Sequence, residues 1–179
     1  MRYSMRLLKE YTIRLVFTAG ILFGVQVPNF IDQYTQKVSA HYLEAAENFS
    51  GFQATADKFH GGSVKALIER HETSDDPVFQ SEASPIKEIH SRIQAFSSEL
   101  KALNTNLFSK IFHVAFKSDR AVLKETVSEY SATVPLNTDA IICGLGLGMV
   151  SALLCDVFFF MLKMVFGLRF SKRVDPDAL

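Results

Sequence analysis

The stretch from Ala140 to Leu162 is a nearly uninterrupted apolar run, and it constrains the fold more than any other feature of the chain. It contains 23 residues and a single charged one, Asp156. A helix of about 20 apolar residues is long enough to cross the hydrocarbon core of a bilayer. The run therefore predicts a transmembrane helix over residues 139–163.

A second apolar run lies near the N-terminus and is weaker. Leu15–Val27 has only 13 residues, and it reaches spanning length if the helix begins at Tyr11 and Arg14 extends its side chain to the membrane surface. A basic start followed by a short apolar run is also typical of a cleaved signal peptide. Because no small-residue cleavage site follows, we expect a retained transmembrane helix over residues 11–28.

Basic residues flank both apolar runs on the side that faces the nearer chain terminus. They are Arg2, Arg6, Lys9 and Arg14 before the first run, and Lys163, Arg169, Lys172 and Arg173 after the second. Because positively charged flanks stay in the cytoplasm, residues 1–10 and the tail 164–179 are expected there, and residues 29–138 on the far side. The chain is thus predicted to be a multi-pass protein of the plasma membrane, in contact with membrane lipid.

Small residues recur every four positions in both apolar runs. They are Gly20 and Gly24 in the first run, and Ala140, Gly144, Gly148 and Ala152 in the second. Such faces let helix backbones approach closely in a membrane. In two antiparallel helices the glycines lie at matching depths, roughly 6 to 14 Å from the ends of the two runs near Pro28 and Asp139. We therefore predict a hairpin packed through these faces, and a homodimer or a contact with another subunit is the alternative use of the same faces.

Asp156 is the one acidic residue inside the two apolar runs. A carboxylate within a bilayer is energetically unfavourable, and it is usually paired or functional. Arg14 and Lys163 are candidate partners near the cytoplasmic interface, so we expect an intramembrane ion pair or a side chain that reaches the interface. A proton or ion relay is the alternative, but such a path normally needs several polar groups.

The residues between the two runs carry two helical stripes. Apolar side chains recur three or four positions apart between Ile31 and Phe59, and again between Ile86 and Leu107. The first stripe continues directly from the first apolar run, with only Pro28 to bend the junction. Two long striped helices predict an antiparallel, coiled-coil-like hairpin. The expected fold class is an all-α membrane protein, with two transmembrane helices flanking a helical extracytoplasmic domain.

Local signals predict where the shorter helices begin and end. Gly61-Gly62 ends the first stripe, and a short helix over 63–72 is expected, followed by a loop over 73–84. Ser84-Pro85 is a favourable helix start, with serine as the cap and proline at the first position. Four further features are expected. Phe79 inserts into the core, and the helix has a weak point at Asn104–Asn106. A last helix runs from its cap Ser118 to about Tyr130, with Val122, Leu123 and Val127 inward, and Asn137 or Thr138 caps the second apolar helix.

Motifs of common catalytic and metal sites are absent from the sequence. The five histidines form no HExxH motif or close His/Cys cluster, and GxSxG, Walker A and CxxC motifs do not occur. Asp75-Asp76 lacks the spacing of a calcium loop. The 19 basic and 19 acidic residues balance, which gives no global argument for binding phosphates. We therefore expect no enzyme, no metal, no cofactor and no nucleic-acid partner.

Several stretches, taken in order, carry a family resemblance. They are Gln26–Tyr34 (QVPNFIDQY), Gly51–Gln53, Leu67–His71 with Ser74–Phe79, and Val134–Leu136. They resemble an uncharacterised family of bacterial inner-membrane proteins, catalogued as a domain of unknown function. The resemblance covers most of the chain and implies a bacterial inner membrane and two spans. It implies no catalytic residue and no substrate.

The sequence favours a non-enzymatic membrane scaffold or accessory subunit, working in a homo-oligomer or a larger membrane protein complex. One alternative is a small transport or channel component with Asp156 in an oligomeric path. Another is a regulator of a membrane enzyme. Since two spans alone do not enclose a pore, the transport hypothesis requires an oligomer or a partner.

Overall fold

The computed structural model describes the chain from residue 2 to 135 and from 137 to 171, with side chains described over 7–135 and 137–164. Within these residues there are six helices and no strand, which confirms the predicted all-α class. The helices are α1 (Arg2–Phe59), α2 (Val64–Glu72), α3 (Pro77–Leu103), α4 (Leu107–Phe116), α5 (Arg120–Ser128) and α6 (Thr138–Ser171). The predicted C-terminal tail lies outside the described residues from position 172 onward.

The chain divides into two compact units. The apolar unit comprises the described parts of 1–29 and 131–179, and the central unit comprises residues 30–130. Both α1 and α6 contain a stretch that is long and apolar enough to cross a membrane. The sequence predicted both of these helices.

The ends of the apolar stretches follow from local chemistry. Asn137 is the cap of α6, since its side-chain oxygen accepts a hydrogen bond from the backbone N–H of Ala140 at 2.8 Å. Pro28 lies inside α1, where it has no N–H to donate to the carbonyl of Gly24 one turn earlier. α1 nevertheless continues through Pro28 to Phe59, so the first stripe is continuous with the first apolar run, as predicted.

In the central unit, the later part of α1 packs against α3 with opposite chain direction. The hydroxyl of Tyr34 contacts Glu99 at 2.6 Å, and the rings of Phe49 and His90 lie 5.5 Å apart. As the residue number rises along α1, it falls along α3, so the two helices are antiparallel. Coiled-coil geometry for this pair stays a prediction.

The core of the central unit is built by α1, α2 and α3. Its buried members are Phe49, Ala56, Val64, Leu67 and Ile86, which come from the two predicted stripes and the short helix between them. Phe59 was expected to continue the first stripe, but it is 67% exposed. It is the last residue of α1, where the helix ends and the chain turns away.

The turn after α1 uses both glycines of the predicted break. Gly61 and Gly62 have φ angles of 57° and 83°, in the region that a side chain disfavours. Ser63 then caps α2 by accepting a hydrogen bond from the N–H of Ala66 at 3.2 Å. The predicted break and the predicted short helix are both confirmed.

The predicted start of α3 at Ser84-Pro85 was wrong. The helix begins at Pro77, and Asp76 is its cap, accepting from the N–H of Val78 at 2.9 Å. The sequence offers two cap-proline pairs, and the earlier one starts the helix because no glycine interrupts the residues between them. Phe79 therefore lies on the first turn of α3 rather than in a loop, 49% exposed and 5.5 Å from the ring of His71.

The predicted weak point at Asn104–Asn106 is confirmed as the break between α3 and α4. Asn106 caps α4, accepting from the N–H of Ser109 at 3.0 Å. The cap of α5 was predicted one residue too early. Asp119 accepts from two backbone N–H groups there, whereas the Ser118 hydroxyl donates back to α4.

The inward face of α5 differs in part from the prediction. Val122 is buried as expected, but the second fully buried residue is Thr126, while Val127 is exposed. The hydroxyl of Thr126 donates to the carbonyl of Val122 at 2.8 Å, so its polar group is satisfied within the helix. A threonine can therefore take an inward position that the apolar pattern assigned to its neighbour.

Candidate helix-packing and ion-pair sites

The backbones of α1 and α6 approach closely at four buried glycines. A methyl group added to Gly20 would lie 2.9 Å from the Cα of Gly148, and one added to Gly24 would lie 2.7 Å from the Cα of Gly144. Side chains essentially never come this close to a backbone carbon. The two helices therefore require glycine at these points, and the pairing order shows that they run antiparallel.

The glycines of α6 receive side chains from α1. A methyl group on Gly144 would lie 2.8 Å from Val25, and one on Gly148 would lie 2.8 Å from Ile21. Gly146, between them, faces open space, so only the four-residue spacing belongs to the interface. Ala152 continues this series one turn beyond Gly148 and is half-buried.

The remaining surface of α6 is made of large apolar side chains that point outward. More than 40% of the surface of each is exposed in Ile142, Leu145, Met149, Leu153, Phe158 and Phe160. Small residues thus face the neighbouring helix while large ones face the surroundings. This is the reverse of a core helix in a water-soluble protein.

Asp156 forms an ion pair with Lys9, whose ammonium group lies 2.6 Å from its carboxylate. Arg14 and Lys163 were the predicted partners of Asp156, and the structure places neither in this contact. Lys9 precedes Gly20 by eleven residues, about three full helical turns, and so lies on the same face.

Arg14 lies on another face of α1, because it precedes Gly20 by only six residues. Its guanidinium group lies over the ring of Tyr11, 5.7 Å from the ring centre. Lys9 was not considered as a partner from the sequence, although its helical phase relative to the glycines places it on the face that meets α6.

Asn29 forms hydrogen bonds with the non-helical segment that leads into α6. It is 7% exposed, and its amide donates to the carbonyl of Ser131 at 3.1 Å while its oxygen accepts from the hydroxyl of Thr133 at 3.1 Å. Gln26 also donates to the carbonyl of Thr133, at 3.2 Å. These bonds satisfy backbone groups that have no helical partner.

In the central unit, Tyr34 is the centre of a buried hydrogen-bond network. Its hydroxyl donates to Glu99 at 2.6 Å and accepts from the backbone N–H of Asp119 at 3.0 Å. A ring nitrogen of His113 lies 2.9 Å from the same Glu99 oxygen. Burial raises the pKa of Tyr34 above its usual range, and the adjacent Glu99 raises it further. The network joins α1, α3, α4 and the start of α5.

A second polar cluster joins α1 to α5. Lys37 lies 2.7 Å from Glu129 and 3.1 Å from Glu125, and His41 lies 2.8 Å from the other oxygen of Glu125. The hydrogen bond to His41, followed by that to Lys37, lowers the pKa of Glu125. The hydrogen bonds to Glu129 and Glu125 raise the pKa of Lys37.

The family comparison agrees with the resemblance seen in the sequence. A family model described as "Protein of unknown function (DUF2937)" matches residues 8–167. The chain belongs to the DUF2937 family. No curated protein and no solved structure matches it.

All of the contacts described above lie inside the DUF2937 match, from Lys9 to Asp156. In the part of this DUF2937 chain that the structure describes, no three His, Cys, Asp or Glu side chains are arranged to hold a metal ion. The polar contacts described above join helices to one another or, for Asn29, join α1 to the segment before α6. The roles of Asn29 and Tyr34 were not predicted, although both residues lie in the Gln26–Tyr34 stretch that carried the resemblance.

Proposed function

We propose that this protein is a non-enzymatic scaffold or accessory subunit anchored in a bacterial inner membrane by α1 and α6. The observation that carries the proposal is the outward orientation of the large apolar side chains of α6. Only 6% of the most apolar stretch of α6 is buried, while the small residues pack against α1. An apolar surface of this length is unfavourable in water and suits lipid tails or apolar partner helices.

The proposed orientation follows from the charges that flank the two helices. The lysines and arginines outside the apolar runs favour cytoplasmic termini. The central unit then lies in the periplasm, where its antiparallel helices form the coiled-coil-like hairpin that the stripes predict. In this position the central unit presents helical surfaces to a partner or to a second copy.

The contacts within the apolar unit favour a scaffold over a transport component. Asp156 is already paired with Lys9, so its charge is neutralised by a neighbour rather than available to a passing ion. The glycine faces of α1 and α6 are already occupied by each other. Contacts with further subunits therefore fall to the outer surface of α6 and to the central unit.

Purification of the full chain in a mild detergent, followed by native mass spectrometry, tests the scaffold proposal. We expect a homo-oligomer or a stoichiometric complex with another membrane protein. Crosslinking in intact membranes before extraction keeps a weakly held partner in the sample. A clean monomer both before and after crosslinking would overturn the scaffold and the transport hypotheses together.

A matched pair of variants locates the contact surface. Leu145→Ala with Leu153→Ala shortens the outward face of α6 and is expected to weaken assembly. Leu43→Ala shortens an exposed side chain of the central unit and should leave a complex held by α6 intact. If only Leu43→Ala weakens assembly, the contact belongs to the central unit instead.

A further inference from the structure

The helix α4 exposes a stripe of three phenylalanines. Phe108, Phe112 and Phe116 are 81%, 56% and 75% exposed, and the rings of Phe112 and Phe116 lie 4.9 Å apart. They are spaced four residues apart and so share one face of the helix, while Val114 on another face is buried. Large aromatic side chains exposed together mark an interaction surface.

The surroundings of the stripe are basic. Lys101 precedes α4 in the chain and Lys117 directly follows it, with no acidic residue between Glu99 and Asp119. Lys110 shares the face of the buried Val114 and so does not belong to the stripe. Phe108, Phe112 and Lys117 line an open depression of about 430 Å³. Aromatic rings flanked by lysines match the two layers of an anionic membrane surface, where rings enter the acyl boundary and ammonium groups meet the headgroups.

α4 belongs to the end of the central unit where the chain enters and leaves it. The unit begins at Phe30 and ends at Tyr130, whose rings lie 5.5 Å apart. Tyr34 follows Phe30 by about one helical turn, roughly 6 Å. Through Glu99, the hydroxyl of Tyr34 is linked to His113 of α4. The stripe is therefore attached close to both covalent connections to the apolar helices.

We propose that the phenylalanine stripe of α4 inserts into the surface of the membrane that α1 and α6 span, with its lysines against anionic headgroups. This inference rests on the proposed function, because it requires the membrane anchor. The anchor keeps the stripe within reach of the bilayer, so the contact is effectively intramolecular and needs little affinity of its own. It holds the central unit in a fixed orientation to the membrane.

A second copy of the chain is the competing occupant of this face. Two stripes facing each other would bring two sets of lysines together, and like charges across an interface oppose association. Anionic lipid removes that repulsion, since it supplies the opposite charge. The charge pattern therefore favours lipid.

The absence of tryptophan from the sequence makes a direct test possible. Phe112→Trp in the full chain places a single tryptophan in the stripe. In vesicles of zwitterionic and anionic lipid we expect blue-shifted emission and a loss of intensity when brominated lipids are included. The loss is expected to be greater in anionic than in purely zwitterionic vesicles, and Lys101→Gln with Lys117→Gln should reduce this difference.

Two control tryptophans separate the possible outcomes. Phe59→Trp replaces a phenylalanine of comparable exposure at the far end of α1, and its emission should resist quenching by brominated lipid. Phe160→Trp in α6 reports whether the anchor is inserted. Quenching at position 160 without quenching at 112 would overturn the lipid contact alone, whereas no quenching at either would overturn the anchor as well. A third outcome is blue-shifted emission at position 112 that brominated lipid does not quench. If this blue shift disappears when the protein is diluted with additional lipid, the stripe belongs to a contact with a second copy.

Discussion

Single residues determine how closely α1 and α6 approach. Glycine at positions 20, 24, 144 and 148 leaves no room for a methyl group, whereas the neighbouring Gly146 has open space. The four-residue spacing indicated the correct face, because small residues at this interval lie in line along a helix. The spacing did not show which side chains fill the other side, and those proved to be Ile21 and Val25.

Gly24→Ala is expected to destabilise the helix pair. The added methyl group would lie 2.5 Å from the backbone oxygen of Cys143, which cannot move without shifting α6, and overpacking of this kind costs about 1–3 kcal/mol. A thermal-unfolding assay with a thiol-reactive dye reports on the half-buried Cys143 and Cys155. Gly146→Ala is the matched control, with little change or a small gain expected from its better helix propensity. Equal melting temperatures for the two variants would contradict the packing described here.

Asn29→Ala is expected to loosen the segment before α6. It removes the side-chain bonds to Ser131 and Thr133, each of which contributes about 0.5–1.5 kcal/mol. Hydrogen exchange of the backbone amides of residues 131–134 measures the effect directly. Asn48→Ala, which removes a single bond to Glu44 on the exposed face of α1, should leave that exchange unchanged. Slow exchange in both variants would show that Asn29 does not hold the segment.

Glu125→Gln is expected to reduce stability at neutral pH but not at low pH. Because the pKa of Glu125 is lowered in the folded protein from its usual 4.5, ionised Glu125 contributes stability above that value. This contribution is lost as the pH falls through the lowered pKa. Melting temperatures from pH 7 to pH 3 should therefore converge with those of the wild type. Glu47→Gln, on the exposed surface of α1, serves as the control. A difference from the wild type that persists unchanged at pH 3 would rule out this charge effect.

At the scale of elements, the helices could be predicted from the sequence, but the residues at which several of them begin could not. The stripes and the double glycine gave α1, α2 and the body of α3 correctly, because burial on one face of a helix requires that spacing. The start of α3 was placed at Pro85 because a cap-proline pair occurs there, yet Asp76-Pro77 offers the same signal earlier. No glycine separates the two pairs, so the helix starts at the earlier one, and the contact of His71 in α2 with Phe79 in the first turn of α3 supports that start.

Pro85→Ala is expected to stabilise the central unit. Pro85 is an exposed residue inside α3, where proline removes a backbone hydrogen bond and costs up to about 3 kcal/mol relative to alanine. Pro77→Ala is the control, because proline at the first position of a helix removes no bond, and it should change stability little. Denaturant unfolding followed by circular dichroism compares the two variants. No gain from Pro85→Ala would contradict a helix that runs through this position and would agree with a start at Pro85.

At the scale of the whole molecule, fold class and family could be predicted, but the polar contacts could not. Apolar length and periodicity are properties of the sequence alone, so the two long apolar helices and the helical central unit followed from them. The bonds of Asn29, Tyr34 and Lys9 join residues that are about 65 to 147 positions apart. No local pattern reports such partners. For Lys9, the helical phase relative to the glycine face was the one available signal.

The central claim of this account is that α1 and α6 cross the membrane as a pair and place the central unit on the side opposite to the termini. Labelling with a membrane-impermeant maleimide tests this most directly, in a background with Cys143→Ala and Cys155→Ala. Single cysteines are introduced by Ser50→Cys in the central unit and by Ser4→Cys near the N-terminus. We predict that Ser50→Cys is labelled when only the outer surface of the membrane is exposed, and Ser4→Cys only after the membrane is opened. Labelling of both cysteines from the same side would contradict the account.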